Sequence, residues 1–365
     1  STISRSYNDY AAAKSGAGYF CTYIVVTGQS QSHLLTSLRA CDNFAPRAGR
    51  LKTRTKKEVP RIGGAGVCCL DHIFVAPQVA WGGTAPVEEY RVQGGGLVGT
   101  ALVACARLGA SCFLFSFLSH DDVGAQVASE LAAEGIKLEG VAGIPQGTSP
   151  FSFIHVDSRS GERTIFHRPA AGLERAVLPD LSRIAECDVL LVDDYYPELA
   201  LAAAREARRK RIPVVGDLTV SLSKCPELFR EISVLIAPRA FAAQIGYAGD
   251  LSGALQAIHR LGPETAMFTL GREGYVYSSP EGRGQGRAFK VAAVDTTGAG
   301  DAFHGAFAFG LARRWELQRC TEFAAAVAAI KCTKPGGRTG LPTISQTIHF
   351  LIGNGRLDWT DLESA

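Results

Sequence analysis

The stretch Phe289-Lys290-Val291-Ala292-Ala293-Val294-Asp295-Thr296-Thr297-Gly298-Ala299-Gly300-Asp301-Ala302-Phe303 decides how the chain is read. Its apolar opening reads as a β run ending at Val294, its centre as a turn of Gly and Thr. Its close reads as a helix that opens near Gly300 and runs to about Arg313. Small residues in such a turn let successive backbone N–H groups converge, and the helix start adds the positive end of its dipole. That combination suits phosphate. Asp301 falls in the first helical turn, where a carboxylate can take a proton from a hydroxyl while the turn holds a phosphoryl group. A lone Gly-x-Gly-Asp would do no more than cap a helix. Here a β run, Asp-Thr-Thr, Gly-Ala-Gly-Asp and a helix of small residues (Gly305, Ala306, Ala308) follow in order.

Upstream of this stretch, short β runs alternate with helical patterns from Gly64 onward. Runs at 65–75, 112–118, 188–192, 213–216, 234–237 and 266–270 read as strands; 96–108, 123–133, 198–210 and 251–261 read as helices. The alternation predicts an α/β fold, a doubly wound, mostly parallel sheet flanked by helices. Residues 151–157 and 163–167 break the rhythm as two β runs joined by Ser158-Arg159-Ser160-Gly161-Glu162, a hairpin loop. With residues near 81–92 they make a small projecting sheet, well placed to act as a lid.

Composition narrows the class. No apolar run in the 365 residues approaches the roughly 20 a spanning helix needs, so no membrane association is expected. Residues 1–62 hold ten Lys/Arg against three Asp/Glu, whereas the remainder holds 28 against 32. The mildly acidic body offers no electrostatic footprint for nucleic acid. The basic, Ser-rich leader over 1–60 reads either as a disordered extension or as an organellar transit peptide. The ten cysteines show no zinc spacing and fit a reducing compartment. The expected location is cytoplasmic, or a plastid or mitochondrion if the leader is a transit peptide.

Asp295-Thr-Thr-Gly-Ala-Gly-Asp301 resembles the C-terminal signature of the ribokinase-like (PfkB) carbohydrate kinases, and the resemblance covers about residues 64–350. Two further landmarks match: Gly94-Gly95-Gly96-Leu97-Val98-Gly99-Thr100-Ala101 leading to Ala106-Arg107-Leu108-Gly109, and the turn Thr269-Leu270-Gly271-Arg272-Glu273-Gly274. Phe303-His304-Gly305-Ala306 and the tail from Lys331 to Pro342 are most similar to sulfofructose-kinase-like members, with ketohexokinase-like members close by. The organisation implied is an extension over 1–60, a kinase domain over 61–350 with lid segments at about 77–93 and 151–168, and a C-terminal tail over 351–365.

The resemblance implies an ATP-dependent sugar kinase that uses Mg²⁺, with K⁺ as a further cation. It makes Asp301 the catalytic base and the N–H groups of Gly298, Ala299 and Gly300 the anion hole. Thr269, Gly271, Gly274, Thr297 and Gly336 match the ATP-binding positions, with the loop 336–340 closing the adenine side. With Asp295 and Thr297, the same loop matches a monovalent-cation site. Asp71, Gly95, Gly96, Thr100, Asp194 and His167 match the sugar-binding positions. Lys290 and Lys331 read as surface charges.

Three departures shape the substrate expectation. Thr100 stands where the family commonly has Asn, which weighs against ribose. The family's Asn-x-x-Glu motif falls at residues 239–242 and is missing, as it also is in ketohexokinase-like and sulfofructose-kinase-like members. The Lys, Asn and Arg that hold a sulfonate align with Thr84, His167 and Tyr195, against sulfofructose itself. A keto-hexose or its derivative is therefore the first expected acceptor, ribose the second, a nucleoside the third. The alternative is a catalytically silent, partner-binding member of the same fold. The family also implies a homodimer formed through the lid.

Overall fold

The computed structural model describes residues 59–77, 82–159, 163–219 and 225–362. The expected extension lies outside these up to residue 58, as do residues 78–81 and 160–162 of the expected lid.

Seven parallel strands form the body of a nine-stranded sheet. They are β1 (Arg61–Ala65), β4 (Ser111–Leu118), β5 (Lys137–Gly143), β8 (Val189–Asp193), β9 (Val214–Asp217), β10 (Val234–Pro238) and β11 (Thr265–Thr269). An antiparallel hairpin, β12 (Tyr275–Ser279) and β13 (Gly282–Gly286), closes one edge, giving the order β13-β12-β11-β10-β9-β8-β1-β4-β5. The second sheet has the order β3-β2-β6-β7, from β2 (Cys69–Ala76), β3 (Glu89–Gly95), β6 (Phe151–Asp157) and β7 (Arg163–Arg168).

Helices α1 (Leu97–Arg107), α2 (Asp122–Ala133), α7 (Ala299–Ala312), α8 (Leu317–Lys331) and α9 (Ile344–Gly353) pack on one face of the large sheet. Helices α3 (Pro197–Arg209), α4 (Pro226–Glu231), α5 (Ala240–Gln244) and α6 (Leu251–Leu261) pack on the other. Alternation along the strands feeds both layers. Ile62, Leu114, Val189 and Leu191 enter the first core, and Phe113, Phe115, Leu190 and Val192 enter the second. Such two-sided burial explains why these strands read as continuous apolar runs. The doubly wound sheet with a small separate sheet is the architecture expected.

Four local expectations are corrected. Residues 65–75 are not one strand: β1 ends at Ala65, and β2 begins at Cys69 in the other sheet. The break falls at Gly66, where a side chain would run into the Asp193 carboxylate, and the Asp193 Oδ2 accepts the Val67 N–H at 2.7 Å. The small sheet consequently starts with β2, earlier than expected, and β2 is one of its two central strands. Residues 289–294 form no strand; the chain there is tethered through Val294 N, which donates to the Cys332 carbonyl at 2.8 Å. Finally, residues expected as a tail are packed. A 3₁₀ turn, Leu357–Leu362, follows α9 and buries Trp359 against Trp315 and Phe323.

Candidate active site

The start of α7 is built by glycine. Gly298 caps the helix at φ 73°, a conformation that favours glycine, and a side chain on it would press on the Gly337 carbonyl. The Ala302 N–H makes the first helical bond, to the Gly298 carbonyl at 2.9 Å. The N–H groups of Gly300 and Asp301 therefore have no partner within the helix. Gly300 is exposed, and nothing lies within 4 Å of where its side chain would project. Of the amides expected as an anion hole, that of Ala299 is engaged by the Thr296 carbonyl at 3.2 Å. Among the described residues no backbone partner is recorded for the N–H groups of Gly298 and Gly300 or, unforeseen, of Asp301 itself.

Behind this opening lies a cluster of carboxylates at the C-terminal ends of central strands, where parallel sheets place their ligands. Asp193 ends β8 and Asp217 ends β9, both buried. Burial and the charge of Asp217 push Asp301 up to about 8, against the opposing pull of His304. Burial and the neighbouring Asp194 push Asp217 up to about 8 as well. The expected sugar contact Asp194 is buried and accepts from the Thr219 N–H and hydroxyl, each at 3.2 Å. His304, one turn beyond Asp301, ties the helix to the sheet: its ring nitrogens lie 2.8 Å from the Gly300 carbonyl and 3.0 Å from that of Ile236.

The small sheet supplies a polar row on its inner face. Register pairs Gln93 with Asp71, Asp71 with Ser152, and Ser152 with His167. The Ser152 hydroxyl lies 3.2 Å from His167 Nδ1. Burial raises Asp71 and lowers His167, so the imidazole favours its neutral form. Gln93 Nε2 and His167 Nε2 are both buried and have no hydrogen-bond partner among the described residues. Asp71 and His167 were expected from the resemblance. Gln93 and Ser152 were missed, because only the register between strands puts them on the face of Asp71.

The glycines divide by what they permit. A side chain at Gly95 would occupy the place of the Asp71 carboxylate, so Gly95 allows that carboxylate its position. At Gly96 (φ 86°) the side chain would meet the Val67 carbonyl at 2.5 Å, making this a contact between backbones rather than an opening. Thr100 is buried and accepts from Arg338 Nε at 3.4 Å. Arg338, also buried, donates from Nη2 to the Gly95 carbonyl at 2.8 Å and so braces the glycine segment from the loop 336–340. Sequence reasoning gave Arg338 no role.

At the positions expected to bind ATP, Thr269 ends β11, and Gly271 (φ 57°) and Gly274 (φ 106°) shape the turn that follows. Gly271 faces open space, while Gly274 lies tight against the Gly286 backbone. Asp295 is buried. Its Oδ1 accepts the Thr297 N–H at 2.8 Å and its Oδ2 the Gly336 N–H at 2.7 Å. Burial alone would raise its pKa; these amides and the Lys331 charge outweigh that and hold it below the usual range. Thr297 is buried, and its hydroxyl has no hydrogen-bond partner among the described residues. Lys331, expected at the surface, is fully buried, and its Nζ donates to the Asp295 carbonyl at 2.8 Å. From the small sheet, Arg163 Nη1 donates to the Thr296 hydroxyl at 2.8 Å, so β7 reaches the same turn. A cavity of about 200 Å³ runs between that sheet and Val294, Asp295 and Pro335.

An amide-lined helix start and a row of polar side chains are the equipment of an α/β enzyme that moves phosphoryl groups onto hydroxyls. The family model described as pfkB family carbohydrate kinase matches residues 65–344, and the chain belongs to that family. It is 30% identical over 293 residues to the ribokinase of Haemophilus influenzae, covering 77% of this chain and 95% of the relative. It is 28% identical over 279 residues to the aminoimidazole riboside kinase of Salmonella typhimurium, covering 70% and 87%. Among solved structures, the ribokinase of Thermotoga maritima superposes with a TM-score of 0.69 at 25% identity, covering 80% of this chain and 99% of the other.

Proposed function

We propose that the protein transfers the γ-phosphoryl group of ATP to a hydroxymethyl group of a neutral sugar, a keto-hexose or its derivative ahead of ribose. The observation that carries this is the junction at Asp301. An ionisable carboxyl sits beside two free helix-start amides, and Asp71 of the polar row is close enough for its charge to act on it. Asp301 takes the hydroxyl proton as the oxygen attacks in line, and the Gly300 and Asp301 amides hold charge on the transferring group. Among the described residues no three His, Cys, Asp or Glu side chains form a metal cage. Mg²⁺ is thus expected to arrive on the triphosphate, where it offsets charge on the phosphate oxygens. Thr269, Gly271, Gly274, Thr297 and Gly336 surround the nucleotide in this reading.

The polar row supports the acceptor class. Gln93, Asp71, Ser152 and a neutral His167 offer hydroxyl partners of the kind an uncharged polyol presents. The two orphaned nitrogens of that row are groups a bound sugar would satisfy. The outer face of the same sheet exposes Tyr90, Phe153 and Phe166; we expect it to cover a second copy of the chain, and light scattering that finds only monomer removes that expectation.

ADP release against a panel of sugars tests the activity. Asp301→Asn should lower kcat about 10²–10⁴-fold while ATP still binds. In the wild type, kcat/KM should climb as pH rises toward 8, because the base must lose its proton. A variant retaining most of the rate would show the base to be another group. A panel in which no sugar releases ADP, with ATP binding intact, would favour a silent, partner-binding protein.

A further inference from the structure

The resemblance to the carbohydrate kinases implies a monovalent cation at Asp295, Thr297 and the loop 336–340; the Thr297 hydroxyl is buried with no hydrogen-bond partner among the described residues, but the oxygens of Asp295 are already engaged, one of them by a cation of the protein. Both carboxylate oxygens of Asp295 are taken by amides, and its main-chain oxygen is taken by an ammonium group of the protein itself. That group belongs to Lys331, the last residue of α8, whose side chain is 0% exposed. Burying an ammonium is costly unless charge and hydrogen bonds compensate it. Burial pulls the Lys331 pKa down, and the buried carboxylate of the same residue whose carbonyl it caps works against that pull.

We propose that Lys331 is a built-in replacement for the monovalent cation, so that the enzyme needs no potassium. An ammonium and a potassium ion carry the same charge and are close in radius. The ammonium differs in being tethered, and in addressing its acceptors through three directed protons. Its anchor point, Asp295, begins the turn that ends in the Gly300 and Asp301 amides. A fixed positive charge there balances the Asp295 carboxylate and holds the turn in shape without drawing an ion from solution. The same bond ties the end of α8 to that turn, while Gly336 ties the following loop to it. The proposal rests on the reading that residues 295–301 carry the phosphate chemistry, but the cation question can be read independently of turnover.

The test compares wild type, Lys331→Ala and Lys331→Met in potassium chloride and in tetramethylammonium chloride of equal ionic strength. The wild-type rate and Tm should be the same in both salts, within about twofold for the rate. Lys331→Ala opens a space for an ion. It should lose about tenfold in rate in tetramethylammonium, and recover rate and Tm in potassium. Lys331→Met fills the space without charge and should be impaired in both salts. A wild type that potassium activates or stabilises would overturn the proposal, as would an Ala variant indifferent to potassium with an unimpaired rate. If the Ala variant does not fold, the wild-type salt comparison and the Met variant still decide. If no form phosphorylates any sugar, the functional reading fails while the Tm comparison still reports on the cation.

Discussion

Two helices, α1 and α7, begin in the same way and end up doing opposite things. Each is capped by a glycine at positive φ, Gly96 at 86° and Gly298 at 73°, with no side-chain cap. They lie side by side so closely that a side chain at Gly305 would collide with the Ala101 carbonyl, and Cys105 Sγ donates to the Gly305 carbonyl at 3.1 Å. Yet the start of α1 is filled: backbone of Val67 and Cys68 crowds Gly96, and Gly99 N donates to the Val67 carbonyl at 3.1 Å. The start of α7 is open at Gly300 and carries Asp301 in its first turn. A helix N-terminus is therefore not a site by itself. What fills the space in front of it decides whether its amides hold the protein together or hold a ligand.

The contrast can be broken by substitution, most severely at α1. Gly96→Ala forces a side chain against backbone at a strained φ and should cost about 2–4 kcal/mol in urea denaturation. Gly300→Ala enters open space, so stability should hold within about 0.5 kcal/mol while kcat falls about tenfold. If the two variants behaved alike, the distinction between a packed and an open start would be void.

A smaller effect sharpens the comparison through pH. Between the ordinary carboxylate range and about 8, Asp301 keeps a proton in the folded chain that the unfolded chain releases. That contribution to stability is complete below pH ~3.9 and is lost as pH rises through the folded value. Asp301→Asn should thus melt above wild type near pH 8, and the gap should close toward pH 4. A constant gap across that range would mean that the carboxyl is not held protonated by its surroundings. The smallest effect belongs to Arg163→Ala. Losing the bond to the Thr296 hydroxyl should raise the sugar KM about two- to tenfold with Tm unchanged. An unaltered KM would separate the small sheet from the α7 turn.

The turn at the start of α7 was legible as a glycine-rich helix opening because that information is local: Asp295 to Asp301 lie within seven residues. The large sheet was legible because strands buried on both faces leave continuous apolar runs. What stayed hidden depends on contacts far apart in sequence. Lys331 at a helix end looks like any solvated lysine until Asp295 is brought against it. Arg338 meets Gly95 and Thr100 across more than 230 residues. The split of residues 65–75 into two sheets left only Gly66 as a mark, and that glycine answers to Asp193. The strand β13, Gly-Arg-Gly-Gln-Gly, has almost no β-forming residues and exists by pairing with β12.

The three residues between β1 and β2 have a mechanical consequence. They span at most about 10 Å of chain, and both hydrogen-bonding groups of Val67 are already held, the N–H by Asp193 and the carbonyl by Gly99. The small sheet is thus geared directly to the middle of the large one and cannot swing as a loose flap. Rocking of that sheet would bear on Val67, levering on the carboxylate end of β8 and the first turn of α1 together.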